Sequence, residues 1–147
     1  MKRLLALLTF TPLLLLAEEP AAVTDATANG ADAHRAALEL AGAFSNDGFK
    51  LRDGTWSGSV QPGKPQLVQV NLYAGNEYWF SVGATAQAQK LAVTVYDESG
   101  TPMESEPHAE GPTAAAGFSP DASGPYFVRI ESLEGEPATF CLIYSYK

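Results

Sequence analysis

The sequence has few of the residues that build metal centres, disulfides or nucleic-acid interfaces. Its 147 residues include one cysteine, Cys141, and two histidines, His34 and His108. A single cysteine excludes an intrachain disulfide, and this set does not supply the ligands of a structural zinc site. Nine lysines and arginines against seventeen aspartates and glutamates give a formal net charge of −8. Such an acidic chain is not built to neutralise phosphates, so we expect no nucleic-acid partner.

Only one long apolar run is present, and it lies near the start of the chain. A basic start, residues 1–3, precedes the mostly apolar residues 4–16, and Ala17 comes before two glutamates. This order is typical of a secretory signal peptide, and the run is shorter than the roughly 20 apolar residues that span a membrane. We predict that residues 1–17 are a signal peptide and that the mature chain is periplasmic or extracellular, with no membrane span. The alternative is an uncleaved N-terminal anchor.

The next two segments differ in their periodicity. Residues 18–30 are rich in Ala, Thr and Asp without a period, which predicts a flexible tether. Residues 31–45 contain good helix formers and predict a helix. Its apolar residues recur at spacings of three and four; they are Ala33, Ala37, Leu40, Ala41 and Phe44. Because so short a helix is marginal alone in water, we expect it to dock on the following domain through Leu40 and Phe44.

From residue 49 onward the sequence has the pattern of strands and turns. Apolar and polar residues alternate in 67–72 and again in 78–82, around Ala74-Gly75-Asn76, which predicts a β-hairpin. Similar short runs follow to the end of the chain, separated by turn residues. About eight such strands predict an all-β domain over residues 49–147, folded as an antiparallel β-sandwich.

The sequence predicts the strands and turns in the rest of this domain less clearly. Asp53-Gly54, between two short strand-like runs, predicts a second hairpin. Residues 101–106 are interpreted as a short strand, 108–112 as a polar loop and 113–118 as an alanine-rich strand.

Four groups of residues resemble a known family. They are Leu72-x-Ala-Gly-Asn-x-Tyr-x-Phe, Val93-x-Val-Tyr-Asp-x-x-Gly, Phe118-x-Pro-x-x-x-Gly-x-Tyr-x-Val-Arg-Ile and Phe140-x-Leu-x-Tyr. Over residues 60–146 this pattern of turn glycines and aromatics resembles the bacterial pre-peptidase C-terminal (PPC) domain. The resemblance implies a jelly-roll-like β-sandwich that serves exported proteins as an accessory module. It also implies that calcium, or a polymer such as collagen or polysaccharide, is a candidate ligand.

Candidate catalytic residues are scarce. Ser119, His108 and Asp121 can be written as a triad, but they lie on separate predicted loops, and no Gly-x-Ser-x-Gly turn is present. Cys141 lies in the middle of a predicted strand, where a thiol behaves as a small apolar side chain. We therefore predict that the protein is not an enzyme, and a cryptic hydrolase is the least favoured alternative.

Carboxylates in the predicted loops are the candidate metal ligands. Calcium binds six to eight oxygens, and Asp97, Glu98 and Asp121 could contribute some of them. The segment Asp97-Glu98-Ser99-Gly100 is also an ordinary β-turn sequence, and we favour that interpretation because the chain contains no Asp-x-Asp-x-Asp loop. No other cofactor is predicted.

Outward-facing aromatic side chains are the strongest functional signal. The alternation predicts that Tyr73, Trp79, Tyr96 and Phe127 point away from the sandwich interior, where they could bind a protein or a polysaccharide. Alternatively, the helix covers Trp79 and Phe127, and the remaining contact candidates are Tyr73, Tyr96, Tyr144 and Tyr146. We predict an exported, non-catalytic binding module; the alternative is a self-associating structural protein of the cell envelope.

Overall fold

The structure is a computed structural model in which residues 21–147 are described, with side chains described from residue 28 onward. The predicted signal peptide, residues 1–17, lies outside this range. Helix α1 spans Ala21–Ser45. The predicted tether is therefore wrong over residues 21–30, because this alanine-rich stretch extends the helix by more than two turns. No helix in the described part of the chain is long and apolar enough to cross a membrane.

Nine strands follow α1 within the described residues. They are β1 (Lys50–Leu51), β2 (Trp56–Val60), β3 (Gln66–Leu72), β4 (Tyr78–Ala84), β5 (Ala88–Tyr96), β6 (Glu106–Glu110), β7 (Thr113–Phe118), β8 (Gly124–Gly135) and β9 (Ala138–Tyr146). They form two antiparallel sheets packed face to face, so the predicted all-β sandwich is confirmed.

The two sheets differ in size. The larger has six strands in the order β1-β9-β4-β7-β6, with β2 also paired to β9, and the smaller has the order β3-β8-β5. Their inner faces share one apolar core that includes Val70, Phe80, Val93 and Val128. Alternation along β3, β4, β5 and β8 therefore identified the buried side of these strands correctly.

The predicted hairpin of residues 67–82 is wrong, because β3 and β4 lie in different sheets. Strand β3 pairs with β8, whereas β4 pairs with β7 and β9. The turn at Ala74-Gly75-Asn76 carries the chain from one sheet to the other, with Gly75 at a φ of 91°. The Tyr78 hydroxyl holds this connection by accepting hydrogen bonds from Tyr73 N at 2.9 Å and Asn76 Nδ2 at 3.1 Å. Two facing strands bury the same core as two paired strands, so alternation does not distinguish the two arrangements.

The second predicted hairpin, at Asp53-Gly54, is also wrong. Strands β1 and β2 both pair with β9, one after the other along the same edge. Five positions separate Leu51 from Trp56, whereas three separate their partners Ser145 and Leu142. Residues 52–55 therefore form a local protrusion of the edge, which the positive φ of 103° at Gly54 permits.

Strand β6 occupies residues 106–110, where the sequence predicted the end of one strand and a polar loop. It pairs with β7 at the edge of the six-stranded sheet, and all five of its residues are exposed. A strand with both faces in water needs no apolar alternation, and its sequence therefore looks like a loop.

Helix α1 packs on the outer face of the six-stranded sheet, against β4 and β9. A stripe of small residues makes the contact; Ala33, Ala37 and Ala41 are fully buried together with Cys141 and Ile143. A Cβ added at Gly83 would overlap Ala37 N and lie 2.7 Å from Ala33 O. The absence of a side chain at residue 83 therefore lets the helix backbone approach the sheet directly.

Candidate functional site

A groove lies on the outer face of the three-stranded sheet, opposite the sheet that carries α1. Its volume is about 420 Å³. It is lined by Pro65, Leu67, Tyr96, Asp97, Glu98, Gly100, Phe127 and Arg129. The groove thus combines apolar walls with one cation and two carboxylates, which is the usual composition of a small-ligand site.

Strand register places the groove side chains in two neighbouring rows. Phe127 of β8 is paired with Tyr96 of β5, and Arg129 is paired with Leu67 of β3. Residues two apart on a strand point to the same face, so these four side chains share one side of the sheet. Leu67 is 64% exposed, a large value for an apolar residue in a strand.

Arg129 is the central cation of the groove. Its Nη1 donates to the Tyr96 hydroxyl at 3.4 Å, and its Nη2 contacts Glu131 Oε1 at 3.3 Å. The hydrogen bond with Tyr96, followed by the charge of Glu131, raises the pKa of Arg129 above its already high ordinary value. Its Nε has no hydrogen-bond partner among the described residues. Because both contacts are longer than a typical N–H···O bond, the guanidinium can still exchange them for a ligand oxygen.

Asp97 forms one rim of the groove and holds a turn there. Its Oδ1 accepts hydrogen bonds from Ser99 N at 3.0 Å, Ser99 Oγ at 2.8 Å and Thr101 N at 2.9 Å. The backbone hydrogen bond from Thr101, followed by the Ser99 hydroxyl, lowers the pKa of Asp97. Gly100 N also donates to Asp97 O at 3.1 Å, which confirms the β-turn interpretation of residues 97–100. The exposed Glu98 lies on the same rim.

The three predicted calcium ligands do not form a cluster. Asp121 lines a separate, acidic groove beside Glu104 and Glu106, away from the rim that holds Asp97 and Glu98. Among residues 21–147, no three His, Cys, Asp or Glu side chains are close enough together to hold a metal ion. Calcium binding remains a prediction from the resemblance.

Trp79 and Phe127, which the sequence grouped together, lie on opposite sheets. Trp79 stacks on Phe44 of α1, with ring centroids 4.1 Å apart and an interplanar angle of 8°. The helix therefore covers Trp79, as the alternative interpretation predicted. The same interpretation is wrong for Phe127, which lines the groove on the opposite side of the sandwich.

The other tyrosines named from the sequence have three different environments. Tyr73 is 59% exposed just after β3, outside the groove lining. Tyr144 is buried in the core, so its prediction as an outward contact residue is wrong. Tyr146 is half-buried and packs against the same core. Both faces of β9 are covered, one by the core and the other by α1, so its continuous apolar sequence does not show which side chains face outward.

The three residues of the possible catalytic triad, Ser119, His108 and Asp121, do not line one cavity. Ser119 and Asp121 lie in the acidic groove, whereas His108 lines a cavity beside Trp79 and the end of α1. His34 is exposed on α1. Cys141 is buried beneath the helix, and this burial raises the pKa of its thiol. A protonated thiol is a weak nucleophile.

Pro65, Leu67 and Arg129 are groove residues that the sequence-based predictions missed. Leu67 carried a readable signal, because it is an apolar residue at an outward position of an alternating strand. Pro65 and Arg129 carried none, since nothing in the sequence showed which strands would lie beside β3.

No protein-family model matches the chain, and no curated protein matches it.

Proposed function

We propose that this protein is an exported, non-catalytic β-sandwich module that binds polysaccharide in the groove of the three-stranded sheet. The observation that carries the proposal is the pairing of Tyr96 with Phe127 on an uncovered sheet face, next to Arg129. The C–H faces of sugar rings pack on aromatic side chains, while their hydroxyls bond to charged groups at the edge.

The size and charge of the groove support this ligand class. A volume of about 420 Å³ lies within the range of roughly 300–1,000 Å³ that small-molecule sites occupy, enough for one or two sugar rings. Arg129 donates hydrogen bonds, and the carboxylates of Asp97 and Glu98 accept them. Together they match sugar hydroxyls, which both donate and accept hydrogen bonds.

The ionisation of the groove favours binding over acid–base catalysis. The pKa of Asp97 is lowered and that of Arg129 is raised. Both groups therefore keep their charges at neutral pH, whereas a general acid or base needs a pKa near the working pH. Export is supported by the signal-peptide pattern of residues 1–17 and by the resemblance to PPC domains.

A polysaccharide titration tests the proposal. We would measure binding of the mature chain to chitin and glucan oligosaccharides and to polygalacturonate by calorimetry. We expect Phe127→Ala to weaken binding about tenfold, the effect of losing one aromatic contact. Tyr73→Ala is the matched control, because it removes an exposed aromatic ring outside the groove.

Two results would contradict the proposal. One is no measurable binding of any of these polymers at the highest attainable concentration. The other is an equal loss of affinity in Tyr73→Ala and Phe127→Ala, because it would place the contact outside the groove.

A further inference from the structure

The edges of the two sheets differ in how they are protected from pairing with another chain. An edge strand presents unpaired backbone N–H and C=O groups, which proteins usually shield with charges, prolines, bulges or cover. The edge strand β6 contains Glu106, Pro107 and Glu110. The edge strand β5 is irregular between Ala88 and Leu91. The edge of β5 that does not pair with β8 is partly covered, because Met103 N donates a hydrogen bond to Val95 O at 2.8 Å.

The opposite edge of the six-stranded sheet is also poorly suited to pairing. It is interrupted by the protrusion of residues 52–55 between β1 and β2. The five residues of β2 include Gly58 at their centre, which weakens a strand.

Within the part of the chain that the structure describes, strand β3 has none of these protections. Its seven residues contain no charge, proline or glycine, and they pair with β8 in an unbroken register from Gln66 to Leu72. Within residues 21–147, β8 is the only strand with which β3 pairs. Such a regular, uncharged edge is a template for one more strand.

The three central residues of β3, Val68, Gln69 and Val70, are symmetric about Gln69, whereas its ends differ. The whole strand reads Gln66-Leu-Val-Gln-Val-Asn-Leu72. In an antiparallel pair centred on Gln69, Val68 would face Val70 of the second copy, and Leu67 would face Asn71 of the second copy. No charge would meet another charge along the contact.

We propose that β3 pairs antiparallel with β3 of a second copy of this chain, with Gln69 next to the two-fold axis. Charge favours this location, because two chains of net charge −8 repel over most of their surface and approach best along an uncharged edge. The three-stranded sheets would join into one of six strands. Both grooves would then open on the same face, so a long polymer could occupy them together.

Charge substitutions at Gln69 test this pairing by sedimentation equilibrium over a concentration series. The wild-type chain is expected to form dimers. Gln69→Lys and Gln69→Glu each place like charges opposite one another, and we expect each to weaken the dimer about fivefold. An equimolar mixture of the two variants pairs opposite charges and is expected to restore the dimer.

Ala109→Lys on the edge strand β6 is the matched control, because it adds the same charge to an exposed strand at a different edge. It is expected to leave the dimer unchanged. Hydrogen exchange provides a second readout: the alternate amides of residues 66–72 that do not bond to β8 should become protected as concentration rises, and those of β6 should not.

A strict monomer at every concentration overturns the proposal, as does a dimer that is indifferent to charge at residue 69. So does a mixture that associates no better than either variant alone. Because Gln69 is paired with the groove residue Phe127, polysaccharide binding is measured on the wild-type chain below the concentration at which it dimerises. Failure of the dimer and failure of the proposed function are then distinguishable.

Discussion

The outer faces of the two sheets contrast sharply, although their inner faces build the same core. On the six-stranded sheet, Gly83 and Cys141 leave a shallow surface onto which α1 packs through alanines. On the three-stranded sheet, Leu67, Phe127 and Arg129 form the walls of an open groove. Outward aromatic residues therefore have two different roles in one domain. Trp79 packs against a helix, whereas Phe127 lines an open groove.

The largest expected effect comes from filling the space under the helix. Gly83→Val places a side chain where the backbone of α1 now lies, and we expect a loss of about 3 kcal/mol in the free energy of unfolding, the upper range for overpacking. Urea denaturation measures this loss. Alkylation of Cys141 should also become faster, because the helix that buries the thiol is displaced.

Gly42→Ala is the control for that experiment. A Cβ at residue 42 meets nothing within 4 Å, and alanine favours a helix over glycine by about 1 kcal/mol. We therefore expect Gly42→Ala to stabilise the protein. Equal destabilisation by the two substitutions would show that close approach at Gly83 does not hold the helix in place.

A pair of aromatic substitutions compares the two faces directly. Trp79→Ala removes the ring stacked on Phe44 and is expected to cost about 2 kcal/mol, less than a core Trp because the side chain is only partly buried. Phe127→Ala, on the uncovered face, is expected to cost about 1 kcal/mol or less, because this ring packs mainly against its cross-strand neighbours. Thermal and urea denaturation of both variants give the difference. Similar costs would mean that the two faces are equally important for stability.

Alkaline pH probes the covered face through Cys141, and comparison with a variant that lacks this thiol separates its effect from that of buried Tyr144. Burial raises the pKa of the Cys141 thiol above its ordinary value of 9.0. Below pH 9 the thiol is neutral in both states; above it, the unfolded chain loses this proton first, so stability falls as pH rises. We expect this fall to be shallower in Cys141→Ala, measured by urea denaturation between pH 8 and 10. Parallel curves for the two proteins would show that the thiol is not held in a dry environment.

The smallest effect is expected at the rim of the open groove. Hydrogen bonds from Thr101 and Ser99 lower the pKa of Asp97 from its ordinary value of 3.8. The charge of Asp97 therefore contributes stability above about pH 4, and this contribution is lost as pH falls through the lowered pKa. Asp97→Asn should be slightly less stable than wild type at pH 7, and this difference should shrink as the pH falls below 4, measured by urea denaturation. A difference that does not change with pH would implicate shape rather than charge.

Sequence periodicity revealed which side of β3, β4, β5 and β8 is buried but not which strands are neighbours. Val70 and Phe80 were correctly assigned to the core, although their strands lie in different sheets. Alternation records burial, whereas pairing depends on segments far apart along the chain. For the same reason the groove was predicted only in part. Tyr96 and Phe127 were identified as outward-facing, but their proximity to Leu67 and Arg129 required the register of β3, β8 and β5.

Strand β9 follows all of its partners along the chain, yet it lies between β4 and the edge formed by β1 and β2. The six-stranded sheet, and the platform beneath α1, therefore cannot assemble on the ribosome before residues 138–146 have been synthesised. Contacts between segments this far apart slow folding. We therefore expect the nascent chain to remain unfolded until translation of the domain is nearly complete.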